Sequence, residues 1–475
     1  MAERIISFDI LRGWAILGNL VVHTFMLVSQ VQRVAETNPG ELTLAGYILM
    51  GLIVVFGHWR GLFLLMSAAI HMFIMFAKLR RGVPRRVILA QEFTKGLFLW
   101  MWAMFFYVFL AQWGPSLEWV TTGTASLEWQ NIYHADQFAN IAWAIMISSV
   151  LFFFLTSNEK TKKPIVMAIV FAVVGCLFIF PAPAIHEASM TFWGVNLHTE
   201  EHLDKIGDKG WWDYILRMIG NQFNARESPL LPHFAYSAVG SILGIFIAQE
   251  KPPNKKKFLS WGYGIAGFTM AFGAFWLFVV EKIPEDPFML VDFHVHPTWF
   301  VFVTIGMLLI VVLSLMASME FSRKVNWERR LRISRFSRRA GFLCLSVYSF
   351  ASIQAVLRVA LWGITQLFGW TDPGFRTTGG LNIGWTFFLI ALEMGLWFFI
   401  LWIWEKGRYL FSAEWLFALI LKRPYQRKQK DKPKILGDFL NVKGRLIEVT
   451  PVHWVEPITI TDQKHLHKEM GTPSI

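Results

Sequence analysis

Long runs of apolar residues, separated by short polar segments, dominate the chain. Ten of these runs are long enough to cross roughly 30 Å of hydrocarbon as α-helices. They lie near residues 8–29, 60–78, 96–113, 138–155, 164–182, 232–249, 258–280, 298–318, 341–360 and 383–404. The runs are continuous rather than alternating, and backbone polar groups in lipid must be bonded within their own segment or barrel. We therefore expect an all-α, polytopic membrane helix bundle with about ten transmembrane helices.

Positive charge falls on alternate loops between these runs. The basic loops cover residues 78–95, 250–258 and 323–339. Lys160, Lys162 and Lys163 and the segment after Lys406 add further positive charge on the same side. The intervening loops are acidic or mixed; residues 114–137, for example, contain Glu118, Glu128 and Asp136 but no Lys or Arg. Basic loops are retained on the cytoplasmic side of a membrane. The pattern therefore predicts that both termini lie in the cytoplasm.

Three segments outside the ten runs carry weaker signals. Leu44–Phe56 is short for a span and apolar for a loop, which predicts a re-entrant or interfacial helix. Within the outer loop 183–231, aromatic and aliphatic residues from Trp211 to Ile219 recur at helical spacing, which predicts a helix lying on the membrane or packed on the bundle. We expect a transmembrane domain over residues 1–422 and a cytoplasmic tail with a few short strands over residues 423–475.

Composition agrees with a membrane protein. Of 475 residues, 55% are hydrophobic and 16% are charged, against about 25% charged in soluble domains. The excess of 45 Lys and Arg over 33 Asp and Glu lies in the loops between spans, which argues for membrane topology and against nucleic acid as a partner. Cys176 and Cys344 both lie in apolar runs and form no disulfide framework or zinc pattern. The first run has no cleavage site after it, so we interpret it as a retained span in a multi-pass protein of the cell (cytoplasmic) membrane.

Histidines supply the main candidates for chemistry. The predicted topology places ten of the thirteen in outer loops or within spans, and four of these lie near the outer ends of spans: His23, His58, His134 and His233. Ionisable groups at membrane depth are rare and often functional. His23 can accept a proton from a hydroxyl or amine at neutral pH, with His58 assisting. The alternatives are a buried histidine bonded to a neighbouring helix for His23 and an interfacial anchor for His58.

Other polar residues have structural and functional interpretations. Asp9 and Arg12 share a helix face, where they can form an ion pair that locks helices together, and Gly13 allows close helix approach. Arg12 could instead contact a cofactor phosphate. Asp136 and Glu227 lie near the outer ends of spans, where they could bind a polar acceptor together with His233 or remain solvated acids. His294 and His296 form a pair without a third ligand, so we expect no metal.

Four stretches resemble one superfamily. Residues 4–18 contain Asp9, Arg12 and Gly13 in a D-x-x-R-G-x-A pattern at the start of a span. Residues 61–67 (GLFLLMS), 341–348 (GFLCLSVY) and 412–415 (SAEW) follow in the matching order and spacing. Together they resemble the transmembrane acyltransferases, including heparan-alpha-glucosaminide N-acetyltransferase and its bacterial YeiB-like relatives, across most of residues 1–420.

The resemblance implies acyl transfer across the membrane, from cytoplasmic acetyl-CoA to a hydroxyl or amine of an extracytoplasmic sugar or glycolipid. It would make His23 the candidate base. The basic residues Arg80, Arg81, Arg338 and Arg339, with Arg12, are then candidates for binding the phosphates of acetyl-CoA, although attraction to anionic lipid also explains the basic loops.

The chain departs from the family pattern in three places. The heparan enzyme has an asparagine near the position of His23 and a catalytic histidine in the next outer loop, whereas residues 30–57 contain no histidine. Val347 replaces the asparagine of an Asn-Tyr pair, and Ala413 replaces a proline. The sequence therefore leaves open the acceptor, the acyl chain and the formation of a homodimer. The alternative function is a proton-coupled transporter, or a lipid or polysaccharide exporter, whose intramembrane histidines and acids bind substrate or relay protons.

Overall fold

The computed structural model describes residues 3–57, 59–110, 115–124, 137–193, 211–224, 229–249, 254–281, 296–322, 325–407, 409–422 and 450–451. These residues are almost entirely helical, which confirms the all-α prediction. The first ten helices are α1 (Ile6–Val28), α2 (Gln30–Thr37), α3 (Leu44–Gly57), α4 (Arg60–Arg80), α5 (Arg85–Phe109), α6 (Pro115–Thr122), α7 (Gln137–Leu155), α8 (Pro164–Ile179), α9 (Ala182–Trp193) and α10 (Trp211–Asn224). The others are α11 (Leu230–Ile247), α12 (Lys255–Trp276), α13 (Thr298–Ser318), α14 (Trp327–Ile333), α15 (Arg335–Phe342), α16 (Cys344–Ser349), α17 (Ile353–Leu367), α18 (Ile383–Lys406) and α19 (Ala413–Lys422).

Three short elements complete the described chain. A 3₁₀ turn covers Pro39–Glu41, and a π-helical turn at Leu277–Glu281 extends α12. Strand β1 (Glu3–Arg4) pairs in parallel with strand β2 (Thr450–Pro451), which joins the N-terminus to the tail.

Eight helices in the described residues are long and apolar enough to cross a membrane. They are Ile6–Val28, Arg60–Arg80, Gln137–Leu155, Pro164–Ser189, Leu230–Ile247, Lys255–Glu281, Thr298–Ser318 and Ile383–Lys406. Each coincides with one of the ten apolar runs. Their outer surfaces stay apolar: Trp261 and Phe268 on α12 are 73% and 69% exposed, and Leu177 on α8 is 63% exposed. Large apolar surfaces of this kind are expected where lipid is the solvent.

The two remaining runs behave differently. The run at 96–113 lies mainly in α5, which begins eleven residues earlier, at Arg85, and includes charged residues at its start. The run at 341–360 is interrupted, because α15 ends at Phe342, α16 covers Cys344–Ser349 and α17 begins at Ile353. This segment therefore forms three short helices instead of one continuous span.

Helix α11 occupies the centre of one half of the bundle. It packs against α4, α7, α8 and α13. Glycines allow the closest contact: a Cβ on Gly240 would lie 2.0 Å from the backbone oxygen of Leu65, and a Cβ on Gly244 would lie 2.6 Å from that of Ala69. Small residues at such positions permit the close backbone packing typical of membrane helices. The core formed here joins α1, α4, α11 and α13.

The other half of the bundle is built on α1. This helix contacts α15, α16 and α18 on one side and α4 on another. Its far end is also joined to the chain before α18 through backbone hydrogen bonds. Gln30 donates to the carbonyl of Leu381 at 2.9 Å, and Leu381 donates to that of Val28 at 2.8 Å. A third bond, from Gly379 to the carbonyl of Leu27 at 3.0 Å, extends the junction.

Candidate functional site

The N-terminal turns of α1 lie in direct backbone contact with α15. A Cβ on Gly13 would lie 1.7 Å from the carbonyl oxygen of Ser337, and a Cβ on Gly341 would lie 2.2 Å from that of Asp9. Both distances are far below any normal contact, so both glycines are required by the packing. The close helix approach predicted at Gly13 is therefore present, and it brings two of the quoted motifs together.

Arg12 reaches across this contact to the start of α16. Its Nη2 donates to the Sγ of Cys344 at 2.7 Å. Asp9 does not pair with Arg12 as we expected; its Oδ1 accepts from the Nη2 of Arg4 at 3.0 Å. Asp9 therefore pairs with Arg4 of β1, and Arg12 of α1 contacts the buried thiol of Cys344.

Glu414 of the SAEW motif bonds to the start of α16, next to the contact between Arg12 and Cys344. Oε1 of Glu414 accepts from the backbone N–H groups of Leu345 at 2.7 Å and Ser346 at 3.1 Å, while Ser346 Oγ donates to Oε2. The backbone N–H of Ala413 in turn donates to Ser346 Oγ at 2.8 Å. The carboxylate satisfies N–H groups in the first turn of α16, which have no acceptor within that helix. Burial raises the pKa of Glu414, and these hydrogen bonds partly oppose that shift.

The arginines of α15 at this end of the bundle differ in their hydrogen-bond partners. Arg339 donates to Glu405 through Nε at 2.7 Å and through Nη2, and Arg335 Nη2 reaches the same carboxylate at 3.0 Å. Arg338 is fully buried and donates to the carbonyl of Leu331. Burial lowers the pKa of Arg338, and the nearby Asp9 carboxylate opposes this effect. Arg338 and Arg339 therefore flank the α1–α15 contact.

The other two arginines predicted to bind phosphate lie at the end of α4. Arg80 donates through Nη1 to the carbonyl of Ala248, just after α11, and Arg81 is exposed. Their contacts are thus with α11, whereas Arg338 and Arg339 contact α14 and α18.

Glu320 adds an acid beside the first turn of α1. It follows α13, is fully buried, and its Oε1 accepts from the backbone N–H of Ser7 at 2.9 Å. Such a bond satisfies one of the free N–H groups at a helix start. Burial raises the pKa of Glu320 to about 7.

His23 lies farther along α1 and is half-buried. Eleven residues separate it from Arg12, which places both on one helix face at an axial distance of about 16 Å. The next residue, Thr24, donates through Oγ1 to Oε2 of Glu393 at 2.5 Å. Glu393 is fully buried in α18. Glu393 was not among the predicted site residues, although a carboxylate in the middle of an apolar 24-residue helix indicates a functional or paired acid.

The predicted outer-side residues are only partly described. His58, Asp136 and Glu227 lie outside the described residues. His233 is fully buried near the start of α11, with Nδ1 2.9 Å from the carbonyl oxygen of Pro229. Its ring centroid lies 4.5 Å from that of His296. Tyr236 OH lies 3.0 Å from His296 Nδ1, so these three side chains form one buried polar cluster.

No group of three or more metal-ligating side chains occurs within the described ranges. No protein-family model matches the chain, and no curated protein sequence matches it either.

Proposed function

We propose that this chain is a membrane acyltransferase. It would transfer an acetyl group from cytoplasmic acetyl-CoA to a hydroxyl or amine of an extracytoplasmic sugar or glycolipid. The observation that carries this proposal is the meeting of three separate motifs at one place. Gly13 contacts α15, Arg12 contacts Cys344, and Glu414 bonds to Leu345 and Ser346. Residues that resemble the acyltransferase motifs thus share one three-dimensional site, although up to about 400 positions separate them.

In the proposed reaction, His23 acts as the general base. Its imidazole accepts the proton of the acceptor hydroxyl or amine, whose oxygen or nitrogen then attacks the thioester carbonyl. The carbon–sulfur bond breaks, and the coenzyme A thiolate leaves and takes up a proton. His58 would assist His23, and Asp136, Glu227 and His233 would bind the acceptor.

Acetyl-CoA would bind at the end of the bundle that contains the motif site. Arg12 and Arg338 lie at that site, and Arg80, Arg81 and Arg339 are the further candidates for its phosphates. Guanidinium groups suit phosphate because they donate two parallel hydrogen bonds. Arg339 already shares Glu405 with Arg335, which makes it the less available of the two buried arginines.

This proposal assigns the termini to the cytoplasm. The basic loops support that orientation, with α5 and the 341–360 segment counted beside the eight long apolar helices to give about ten membrane segments. Residues 1–422 would then form the catalytic domain and residues 423–475 a cytoplasmic tail.

The decisive experiment measures release of free thiol from acetyl-CoA by the purified, detergent-solubilised protein. A panel of amino sugars and polysaccharides serves as acceptors, and wild type is compared with His23→Ala and His23→Gln. His453→Ala is the matched control, because His453 belongs to the tail. We expect acceptor-dependent thiol release in wild type and His453→Ala, and at least a hundredfold lower rate in both His23 variants, since general-base catalysis contributes about 10²–10⁴-fold.

Equal thiol release by wild type and both His23 variants would remove His23 from the chemistry. Absence of both acetyl-CoA binding and consumption in wild type would refute the acyltransferase proposal. The second candidate is then a proton-coupled transporter or exporter. The buried pairs Thr24–Glu393 and His71–Glu92 favour it, because ionisable groups within spans commonly bind or relay protons in transporters. Substrate flux into vesicles without thioester consumption would identify that class.

A further inference from the structure

A small cavity with four polar side chains in its lining lies away from the motif site, between α4, α7 and α11. Its polar lining consists of Ser67 and His71 of α4, Ser148 of α7 and Ser237 of α11. It has room for about one water molecule. Ser237 is buried, and its Oγ has no hydrogen-bond partner within the described part of the chain. Ser148 Oγ lies 3.5 Å from Ser241 Oγ. Three hydroxyls and an imidazole around so small a space suit a bound water.

One side of this cavity leads to a buried charge cluster. His71 Nε2 lies 3.2 Å from Oε2 of Glu92, a fully buried residue of α5. The same carboxylate accepts from Lys95 Nζ at 2.9 Å and from Lys78 Nζ. The side chains of Lys78 and Lys95 are 22% and 34% exposed. The cluster therefore connects a buried imidazole to the protein surface through one carboxylate.

A second polar cluster, formed by His233, Tyr236 and His296, lies next to Ser237 along α11. His233 precedes Ser237 by one turn of α11, so it lies one helical layer above the cavity. The centroid of its ring lies 4.5 Å from that of His296, with the two rings tilted, and His296 also bonds to Tyr236. Polar side chains thus occupy several successive positions along α11 and α4 between the two clusters.

We propose that these groups form a proton path through the α4, α5, α7 and α11 half of the protein. The path runs from the His233–His296 cluster, through a water in the serine-lined cavity, to His71 and Glu92, and leaves beside Lys78 and Lys95. The path shares His233 with the acceptor site proposed above, and its other groups lie outside the α1 half, to which the proposed function assigns His23 and the motif site.

The proton steps balance without any other reactant. A proton bound by the cavity water moves to one ring nitrogen of His71, which breaks an O–H bond and forms an N–H bond. The proton on the other nitrogen moves to the Glu92 carboxylate, because an imidazole can accept on one side and donate from the other. Glu92 then releases its proton to bulk water between Lys78 and Lys95. One proton enters and one leaves. His71 is left with its proton on the other ring nitrogen, and rotation of its ring restores the starting arrangement before the next proton arrives.

The experiment uses the full-length protein in vesicles of phosphatidylcholine and phosphatidylglycerol that contain a pH-sensitive dye. A potassium gradient with valinomycin drives proton entry, and the initial rate of internal acidification is recorded. Wild type is compared with the double variant Ser148→Ala/Ser237→Ala, which removes two hydroxyls from the cavity. Ser149→Ala is the matched control: Ser149 is buried on α7, but its Oγ donates to the carbonyl of Met146 at 2.8 Å and does not line the cavity.

We expect wild type and Ser149→Ala to acidify vesicles at least tenfold faster than protein-free vesicles. The double variant should be at least fivefold slower than wild type, and His71→Gln should be equally slow. Size-exclusion profiles check that each variant is folded, and thiol release from acetyl-CoA, measured on the same preparations, should be unaffected by the serine changes. A wild-type rate equal to that of protein-free vesicles would overturn the proposal, as would wild-type flux in the double variant.

Discussion

Replacement of Gly13 by alanine tests the contact on which the motif site is built. The new Cβ would lie 1.7 Å from the carbonyl oxygen of Ser337 and 2.9 Å from its Cα. A carbon and a carbonyl oxygen in contact are normally about 3.3 Å apart or more, so α1 and α15 must separate by about 1.5 Å. The obstructing atoms belong to the backbone and cannot rotate away.

The free energy can be estimated from two opposing terms. Overpacking of a tight core typically costs about 1–3 kcal/mol, and the rigid backbone places this contact at or above the upper value. Alanine recovers up to about 1 kcal/mol because it is the better helix former. We therefore expect Gly13→Ala to destabilise the protein by about 2 kcal/mol or more. At about 2 °C per kcal/mol, the unfolding temperature should fall by about 4 °C or more.

Gly18→Ala provides the matched control on the same helix, because nothing lies within 4 Å of its Cβ position. Both variants and wild type are heated in detergent at one scan rate, and the remaining monodisperse protein is measured by size-exclusion chromatography. Gly18→Ala should melt at or slightly above wild type. If Gly13→Ala melts within about 1 °C of wild type, or if both variants lose stability equally, the backbone contact does not have the role assigned to it.

Two further predictions concern charges at the same end of the bundle. Glu405→Gln removes the counter-charge of buried Arg339 and should destabilise the protein by about 3–5 kcal/mol in thermal unfolding. The control, Glu328→Gln, breaks only the exposed pair with Arg332 and should change stability by less than about 1 kcal/mol. Equal effects of the two variants would contradict the role assigned to Glu405. The pKa of Glu320 in the folded protein is about 7, above its ordinary value of 4.5. Its contribution to the free energy of unfolding is therefore fully present below pH 4.5, and about 3 kcal/mol of it is lost as pH rises through 7. The unfolding temperature of wild type minus that of Glu320→Gln should therefore decrease between pH 5 and 8, and a constant difference would exclude this role.

The sequence was sufficient for the fold class because membrane helices must be apolar along their whole length. The boundaries of α5 were less predictable. Glu92 and Lys95 suggested a loop, yet both lie within the helix, since Glu92 is surrounded by Lys78, Lys95 and His71. The charge of Glu92 is balanced partly by side chains of the neighbouring helix α4, and the hydropathy of a single segment does not reveal such partners.

The break in the 341–360 run shows a similar limit. Its composition is apolar enough for a span, but backbone N–H groups at the break are bonded by Glu414, almost 70 residues away. Gly13 and Arg12 could be singled out from the sequence because they lie on one helix face in a known pattern. The partners of Arg12 and Thr24 could not, because Cys344 and Glu393 reach α1 only after the bundle has assembled.

The junction between the end of α1 and the chain before α18 contains three backbone hydrogen bonds. Almost any side chain at position 30 leaves its backbone donor in place, and proline is the exception because it has no N–H group. The junction can therefore persist through extensive sequence divergence in that region. Relatives of this protein should lack proline at positions 30, 379 and 381, whose backbone N–H groups make these bonds.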